Sequence, residues 1–462
     1  MLQVSDQSQH NEFLSCGRPH ILMITNHGVQ EWNMDPGLPD TGGQVAFVNE
    51  LSHVLAQFGF RVTIVNRGGY PHPATGEMRT GVDYYNSYER LLLLEDSCQE
   101  FVRKEDMDEQ LPELAEFLKR FTDEEDTPIQ LIISHYWDAA KLGVLYNRML
   151  SSPIRHIWVP HSLGALKKRN MPPESWGKLR IDERIEHEKN IIPELDGVAS
   201  TSLAIKESLW NDYNYESDLF LPPCVDAERF QPRKLDPDHE IFHFLAEKVG
   251  WTPQQVLESR IITEISRTDA TKRKGVLIQA FAEACKTRSD LLLVVAIDKE
   301  IQDTGPELIQ LIKDLGIQDR VICLGHEKER LPYLYATTAI YCSPSVMEGF
   351  GMAVQEASAT KVPVIGSDKI PFVREYLLGN NVEEQTYGGM TDTPFQVGEG
   401  GIVVPSDNVQ SFAAAMSLLL DNPEFARKMG EKAYDITIPY FTWEDMTRRL
   451  LETMKVEIPG TE

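Results

Sequence analysis

Cysteine is scarce in this chain and badly placed for cross-linking. Cys16, Cys98, Cys224, Cys285, Cys323 and Cys342 stand far apart, and no C-x-x-C pair occurs. That excludes a disulfide framework and a thiolate zinc finger. Three sit within apolar strand or helix patterns, which predicts reduced, buried thiols in a cytoplasmic protein. Long apolar runs are also lacking. The longest, Leu291 to Ile297, falls far short of the roughly 20 residues that cross a bilayer. Residues 1–18 are polar and carry no export signal. Positive charge is in deficit, because 45 Lys and Arg against 71 Asp and Glu give a formal net charge of −26. Such a field repels nucleic acid and anionic membrane, so neither is expected as a partner. No cluster has metal-ligand spacing, and neither a metal nor another cofactor is expected.

What is present, 42% hydrophobic and 25% charged over 462 residues, suits a globular protein of two or three domains. His20–Thr25 reads as a buried strand, the apolar spacing from Val45 to Phe58 as a helix, and Arg61–Asn66 as the next strand, so a βαβ unit opens the chain. Further strands are expected at Gln130–Ser134, His156–Val159 and Gly197–Ser200, with helical patterns between them. From Arg260 the alternation is regular, with strands near 260–265, 291–297, 321–325, 339–343, 362–366 and 401–404. That is the pattern of a parallel sheet covered by helices on both faces. The Pro-rich segment Leu221–Asp226 separates the halves. Residues 379–400 are polar, glycine-rich and long for a connection, and read equally as a lid or an insertion.

The second half carries the sharper motifs. Glu348-Gly-Phe-Gly-Met-Ala-Val-Gln-Glu356 follows a strand and runs into a helix. Its glycine turn offers bare N–H groups at a helix N-terminus, a seat for phosphate. Glu356, a turn deeper, can accept two hydrogen bonds from a vicinal diol such as a ribose. The bland alternative, a capped helix with two solvated glutamates, has about even weight for this motif alone. Upstream, the strand Ile261–Ile265 meets a loop holding Arg267, Lys272, Arg273 and Lys274. Arg267 supplies a planar fork and Lys272 a point charge for a diphosphate, against the alternative of a merely solvated basic loop.

The first half offers an acceptor side. Gly42-Gly43-Gln44 opens a helix, where the glycines permit close backbone approach and Gln44 can meet sugar hydroxyls; a plain steric turn explains the pair equally well. His161 stands at the C-terminal edge of a strand, where open α/β sheets bind ligands, although a structural histidine fits too. Lys167, Lys168, Arg169, Lys178, Arg180 and Arg184, with Arg103 and Lys104, form cationic clusters in an acidic chain. They read as an anion seat for a phosphorylated acceptor. The rival account is helix pairing of Arg184 with Glu188.

Taken together, Asp40-Thr-Gly-Gly-Gln44, Phe101-Val-Arg-Lys104-Glu-Asp, Ser134-His-Tyr136, His161-Ser-Leu-Gly164, Ser266-Arg267 … Lys272 and Glu348 … Glu356 resemble family 4 of the retaining glycosyltransferases. Within it the similarity is to sucrose-phosphate synthases and mannosylfructose-phosphate synthases. The resemblance implies the GT-B fold, two Rossmann-like α/β domains with a cleft between them. It places an acceptor domain at 1–224, a donor domain at 225–440, and a C-terminal helix at 441–462, Trp443 to Val456, that crosses back onto the first domain. It implies a catalytic set of His161, Arg267, Lys272 and Glu348. Donor binding would fall to Arg267, Lys272, Glu348, Phe350, Gly351, Met352 and Glu356. Acceptor binding would fall to Gly42, Gly43, Gln44, Lys104, Lys167 and Arg184.

The implied partners are a nucleotide-sugar donor, UDP-glucose first, and a sugar-phosphate acceptor, fructose 6-phosphate first; GDP-mannose is the alternative donor. Departures at Pro222-Pro223-Cys224, Gly349, Ser367-Asp368-Lys369 and the loop Gln30–Leu38 leave the donor base, donor sugar and acceptor open. A nucleotide-sugar epimerase or a non-catalytic sensor is the more distant alternative. The cationic acceptor cluster argues against the first, and the complete donor clamp against the second.

Overall fold

The computed structural model describes residues 6–33, 38–298, 304–325, 327, 329–380, 383–385 and 395–459. It divides into two compact units, Met1–Pro223 with Trp443–Glu462, and Cys224–Thr442.

The sheet of the first unit holds eight strands among the described residues. They are β1 (His20–Ile24), β2 (Arg61–Arg67), β3 (Gly81–Asn86), β4 (Glu89–Leu94), β5 (Ile129–His135), β6 (Arg155–Val159), β7 (Gly197–Ser200) and β8 (Leu219–Phe220), in the order β3-β4-β2-β1-β5-β6-β7-β8. All neighbours run parallel except β3, which is antiparallel to β4. The hairpin β3–β4 escapes the sequence reading, because a leucine run such as Leu91–Leu94 has no period to separate strand from helix. Chain order reverses at β1, which lies between β2 and β5. Open α/β sheets take ligands beyond the carboxyl ends of the strands at such a reversal. The helix Gly43–Gln57 follows β1, and the C-terminal helix Trp443–Thr453 packs on it within this unit, ending short of the expected Val456.

The second unit repeats the plan. Its strands β9 (Arg260–Glu264), β10 (Leu291–Ala296), β11 (Val321–Leu324), β12 (Thr338–Ser343), β13 (Val364–Ser367), β14 (Glu383–Gln385), β15 (Phe395–Val397) and β16 (Gly401–Val404) run in the order β11-β10-β9-β12-β13-β16-β15-β14. On β10, Leu291, Leu293 and Val295 enter one core and Leu292 and Val294 another, so both faces are buried, as the unbroken apolar run predicts. The reversal lies at β9, between β10 and β12. Within 379–400, β14 and β15 pair antiparallel and extend the sheet. The residues 381–382 and 386–394, on which a lid would depend, lie outside the described residues, as do 34–37 of the loop Gln30–Leu38.

None of the six cysteines forms a disulfide among the described residues; Cys224 and Cys342 are buried and the other four keep some exposure, against three expected in apolar patterns.

Candidate functional site

Each unit gathers its polar groups at the carboxyl ends of the strands around its reversal point. In the first unit these are the ends of β1, β5 and β6. Beyond β1, His27 is buried with Nδ1 3.1 Å from Asp138 Oδ1. Its ring meets Tyr136 edge-on at 4.6 Å. Gly28 has φ +74°, and a Cβ there would lie 2.6 Å from the Asp40 carbonyl oxygen, so glycine is required where the loop folds back on itself. Gly42 and Gly43 differ. A Cβ on either meets no atom within 4 Å, so they leave open space at the helix start. Gln44 donates from Nε2 to Thr25 Oγ1 at 2.9 Å.

Tyr136 follows β5 with φ +78° and ψ 168°, and His161 follows β6 with φ +54°. Non-glycine residues held in such regions cost about 1–3 kcal/mol each and concentrate at functional sites. His161 Nε2 lies 3.0 Å from His135 Nδ1. Burial, with His27 close by, pushes the His161 imidazole down to about 3, so the ring is neutral in any ordinary buffer.

A pocket of about 520 Å³, its open mouth included, adjoins these strand ends. That is room for a small ligand. It is lined by Lys104, Lys167, Arg180, Arg184 and His187, and also by Glu105, Asp108, Glu109 and Glu183. The three expected acceptor cations thus converge, but none is idle. Lys104 Nζ is hydrogen-bonded to Asp40 Oδ1, and Glu105 lies 3.9 Å from Lys104 and 3.7 Å from Lys167. Burial works against the Lys104 charge, yet Asp40 outweighs it and the pKa is raised. In Lys167 burial and the neighbouring Arg184 prevail, and its pKa is lowered. Arg184 is 5% exposed and heavily engaged, donating to Glu188 Oε1 at 2.7 Å, to the Tyr136 hydroxyl, and to Ser162 O and Oγ at 2.5 and 3.1 Å. The pairing with Glu188 weighed as a rival to the anion seat is therefore realised. Arg184 ties Tyr136 to the turn after His161 and borders the seat as a fixed wall.

Of the remaining cations, Lys168 pairs with Asp182, Arg169 with Asp212 and Arg103 with Glu105, all at the surface. Lys178 is exposed and lies outside the pocket lining. Arg180 and His187 were not singled out together. Only the fold shows that they share a wall, His187 lying flat on Trp137 with ring centroids 5.0 Å apart.

In the second unit the loops after β9 and β12 meet. Val346 N–H donates to the Thr271 carbonyl at 2.8 Å, and Lys272 Nζ lies 2.6 Å from Glu348 Oε1. Two residues named apart in the sequence are thus one ion pair. Arg267 is exposed and makes no ion pair among the described residues. The other two cations of this loop have structural roles. Lys274 is buried on Glu264 at 2.5 Å and Arg273 pairs with Asp407 at 2.9 Å. Gly351 caps the helix Met352–Ala359 with φ +119°, and a Cβ there would come within 2.8 Å of Ile370 Cγ2. The first N–H groups of this helix have no partner within it. Met352 begins that first turn.

Phe350, expected on the donor side, can reach a ligand only through its backbone. Its ring is 2% exposed and packs against Phe372, Tyr376 and Phe441, leaving only backbone to meet a donor. Glu356 accepts from the Tyr335 hydroxyl at 3.0 Å, and burial pushes its carboxyl up to about 7. Among the described residues no group of three or more His, Cys, Asp or Glu could hold a metal, and no helix is long and apolar enough to cross a membrane.

Residues 252–436 match the family model described as Glycosyl transferases group 1, and residues 41–229 match Glycosyltransferase Family 4. A mannosylfructose-phosphate synthase of Agrobacterium fabrum is 30% identical over 362 residues, covering 75% of this chain and 76% of that one. A D-inositol 3-phosphate glycosyltransferase of Nocardia farcinica is 27% identical over 427 residues, covering 90% and 85% of the two chains. Among solved structures, sucrose-phosphate synthase from Thermosynechococcus elongatus superposes with a TM-score of 0.71 at 22% identity, over 95% of this chain and 98% of that one. The shared fold is that of the GT-B glycosyltransferases.

Proposed function

The chain belongs to the family 4 glycosyltransferases, and from that premise we propose that it is a retaining, metal-independent enzyme that moves a hexose from a nucleotide-sugar to a sugar phosphate. The observation that carries the acceptor half is the convergence of Lys104, Lys167 and Arg184 on one pocket. Burial and the neighbouring Arg184 disfavour the Lys167 charge despite Glu105 at 3.7 Å, so an incoming dianion would gain by compensating it. The names of the two relatives both contain a phosphorylated small molecule, which supports the same class of acceptor. UDP-glucose and fructose 6-phosphate are the first pair to test. GDP-mannose is the alternative donor, and D-inositol 3-phosphate an alternative acceptor.

On the donor side, Arg267, Lys272 and the N–H groups at the helix start near Gly351 would neutralise the diphosphate as its bond to the anomeric carbon lengthens. Glu356 would accept from the ribose diol and Glu348 from the donor sugar. His161 would stand beside the transferring sugar. The acceptor hydroxyl attacks from the face the diphosphate leaves, and the departing phosphate oxygen takes its proton. The anomeric configuration is then retained.

Incubation with a panel of sugar nucleotides against fructose, fructose 6-phosphate and D-inositol 3-phosphate, with product analysis by mass and anomeric NMR, tests this reading. Strong preference for a phosphorylated acceptor and a retained anomer are expected. Equal rates with fructose and fructose 6-phosphate would sink the phosphate seat, and no transfer from any nucleotide-sugar would sink the transferase.

A further inference from the structure

His135, the last residue of β5, is fully enclosed, with Nδ1 3.0 Å from Nε2 of His161. The ring centroids are 5.2 Å apart and the planes differ by 26°. Two ring radii added to the 3.0 Å contact account for that spacing, so the imidazoles are nearly coplanar and joined edge to edge by one hydrogen bond. Phe47 stands edge-on to both rings, at 5.8 Å from His135 and 4.8 Å from His161, and is itself braced edge-on by Trp443 at 4.8 Å.

One hydrogen lies between the two nitrogens, and its owner follows from the far side of His135. Were His161 the donor, His135 would carry its own hydrogen on Nε2, which is buried with no partner among the described residues. A buried orphan N–H is rarer in native structures than an under-used acceptor. With His135 Nδ1–H donating, that far nitrogen is a bare acceptor instead. The His161 hydrogen is then forced onto Nδ1, the ring nitrogen turned away from His135.

We propose that His135 is a positioning residue that holds His161 as its Nδ1–H tautomer, so that His161 presents a hydrogen-bond donor to a hydroxyl oxygen of the transferring sugar. This rests on the role given to His161 above. The consequence is chemical. A neutral N–H donor grips the sugar without placing a positive charge beside an anomeric carbon that is itself becoming cationic.

The test reads the tautomer directly. Protein carrying nitrogen-15 histidine is examined at neutral pH, the His161 signals being those lost in His161→Gln. Wild type should show a pyrrole-type Nδ1 and a pyridine-type Nε2. His135→Phe should show mixed tautomers, and His135→Asn, which keeps an amide near the Nδ1 position, should restore the wild-type pattern. With UDP-glucose and fructose 6-phosphate, His135→Phe should lower kcat by about tenfold to a hundredfold with little change in donor KM, and His135→Asn should recover most of that loss. A hydrogen on Nε2 in wild type would overturn the proposal, even if a variant fails to fold. So would a wild-type kcat in His135→Phe. Unchanged turnover in His161→Ala would overturn the sugar contact and the proposal with it, while the transferase reading would stand or fall on the substrate panel.

Discussion

The two units share a plan but hold their cations differently. In the first, each expected ligand cation has a protein carboxylate near it: Asp40 on Lys104, Glu105 near Lys167, Glu188 on Arg184. In the second, Lys272 is held by Glu348 while Arg267 stands exposed and unpaired among the described residues. A phosphate entering the first unit must compete with carboxylates for Lys104. A diphosphate entering the second would meet Arg267 without breaking an ion pair there, with the nearby Asp269 carboxylate to compete. Charge in the first unit therefore builds the pocket itself, and on the proposed reading mutations there should separate into those that unfold it and those that weaken binding.

The largest effect is expected at Arg184. Its loss leaves the Glu188 carboxylate, 0% exposed, without its cation, and breaking a buried pair costs about 3–5 kcal/mol. Arg184→Met should show this in chemical unfolding, and unchanged stability would mean that Arg184 is a ligand residue rather than a wall. Next is Lys272→Ala, which should raise the barrier by ~2.7–4 kcal/mol with a smaller effect on donor binding, because diphosphate charge is greatest in the transition state. Steady-state kcat beside calorimetric donor affinity separates the two, and a near-normal kcat would remove Lys272 from the clamp.

Lys167→Ala should raise acceptor KM by the equivalent of ~1.5–3 kcal/mol while donor KM and stability hold. Were stability to fall as in Arg184→Met, the contrast within the seat would disappear. Glu356 gives a smaller, pH-dependent effect. Its carboxyl titrates near about 7 in the folded chain against 4.5 ordinarily, and only the ionised form accepts both ribose hydrogen bonds. Donor KM should therefore fall as pH rises through about 7, and Glu356→Gln should raise donor KM and flatten the profile. The stability linkage runs the other way. The folded state holds this proton more tightly, so the contribution of Glu356 is full below 4.5 and lost as pH rises through about 7. The smallest effect is on metal removal, where activity in EDTA should equal activity in magnesium. Loss on chelation and recovery with magnesium would show that the cationic side chains do not carry the diphosphate charge alone.

The regular alternation from Arg260 onward was legible because fully buried parallel strands are short apolar runs, and His20–Ile24, Arg61–Arg67 and Gly197–Ser200 announced themselves in the same way. The glycine turn after Glu348 and the Gly42-Gly43 helix start were legible because each needs a small residue at a particular point. That the Phe350 ring is buried against Phe372, Tyr376 and Phe441 was not legible, because a motif gives neighbours in sequence and not the direction of a side chain. Lys274 and Arg273, legible only as members of a four-cation loop, find their partners Glu264 and Asp407 through the fold, the latter 134 positions away.

By itself, then, the order of residues determined which segments become strands and helices and which loops follow the strand ends, since those depend on local period and on glycine and proline placement. Which charges remain available to a ligand was decided only by the tertiary structure. Lys104 finds Asp40 across 64 positions, Lys272 finds Glu348 across 76, and His135 meets His161 across 26. An ionic or hydrogen-bonded pair forms wherever folding brings complementary groups within about 3 Å, and no local pattern in the chain records that distance.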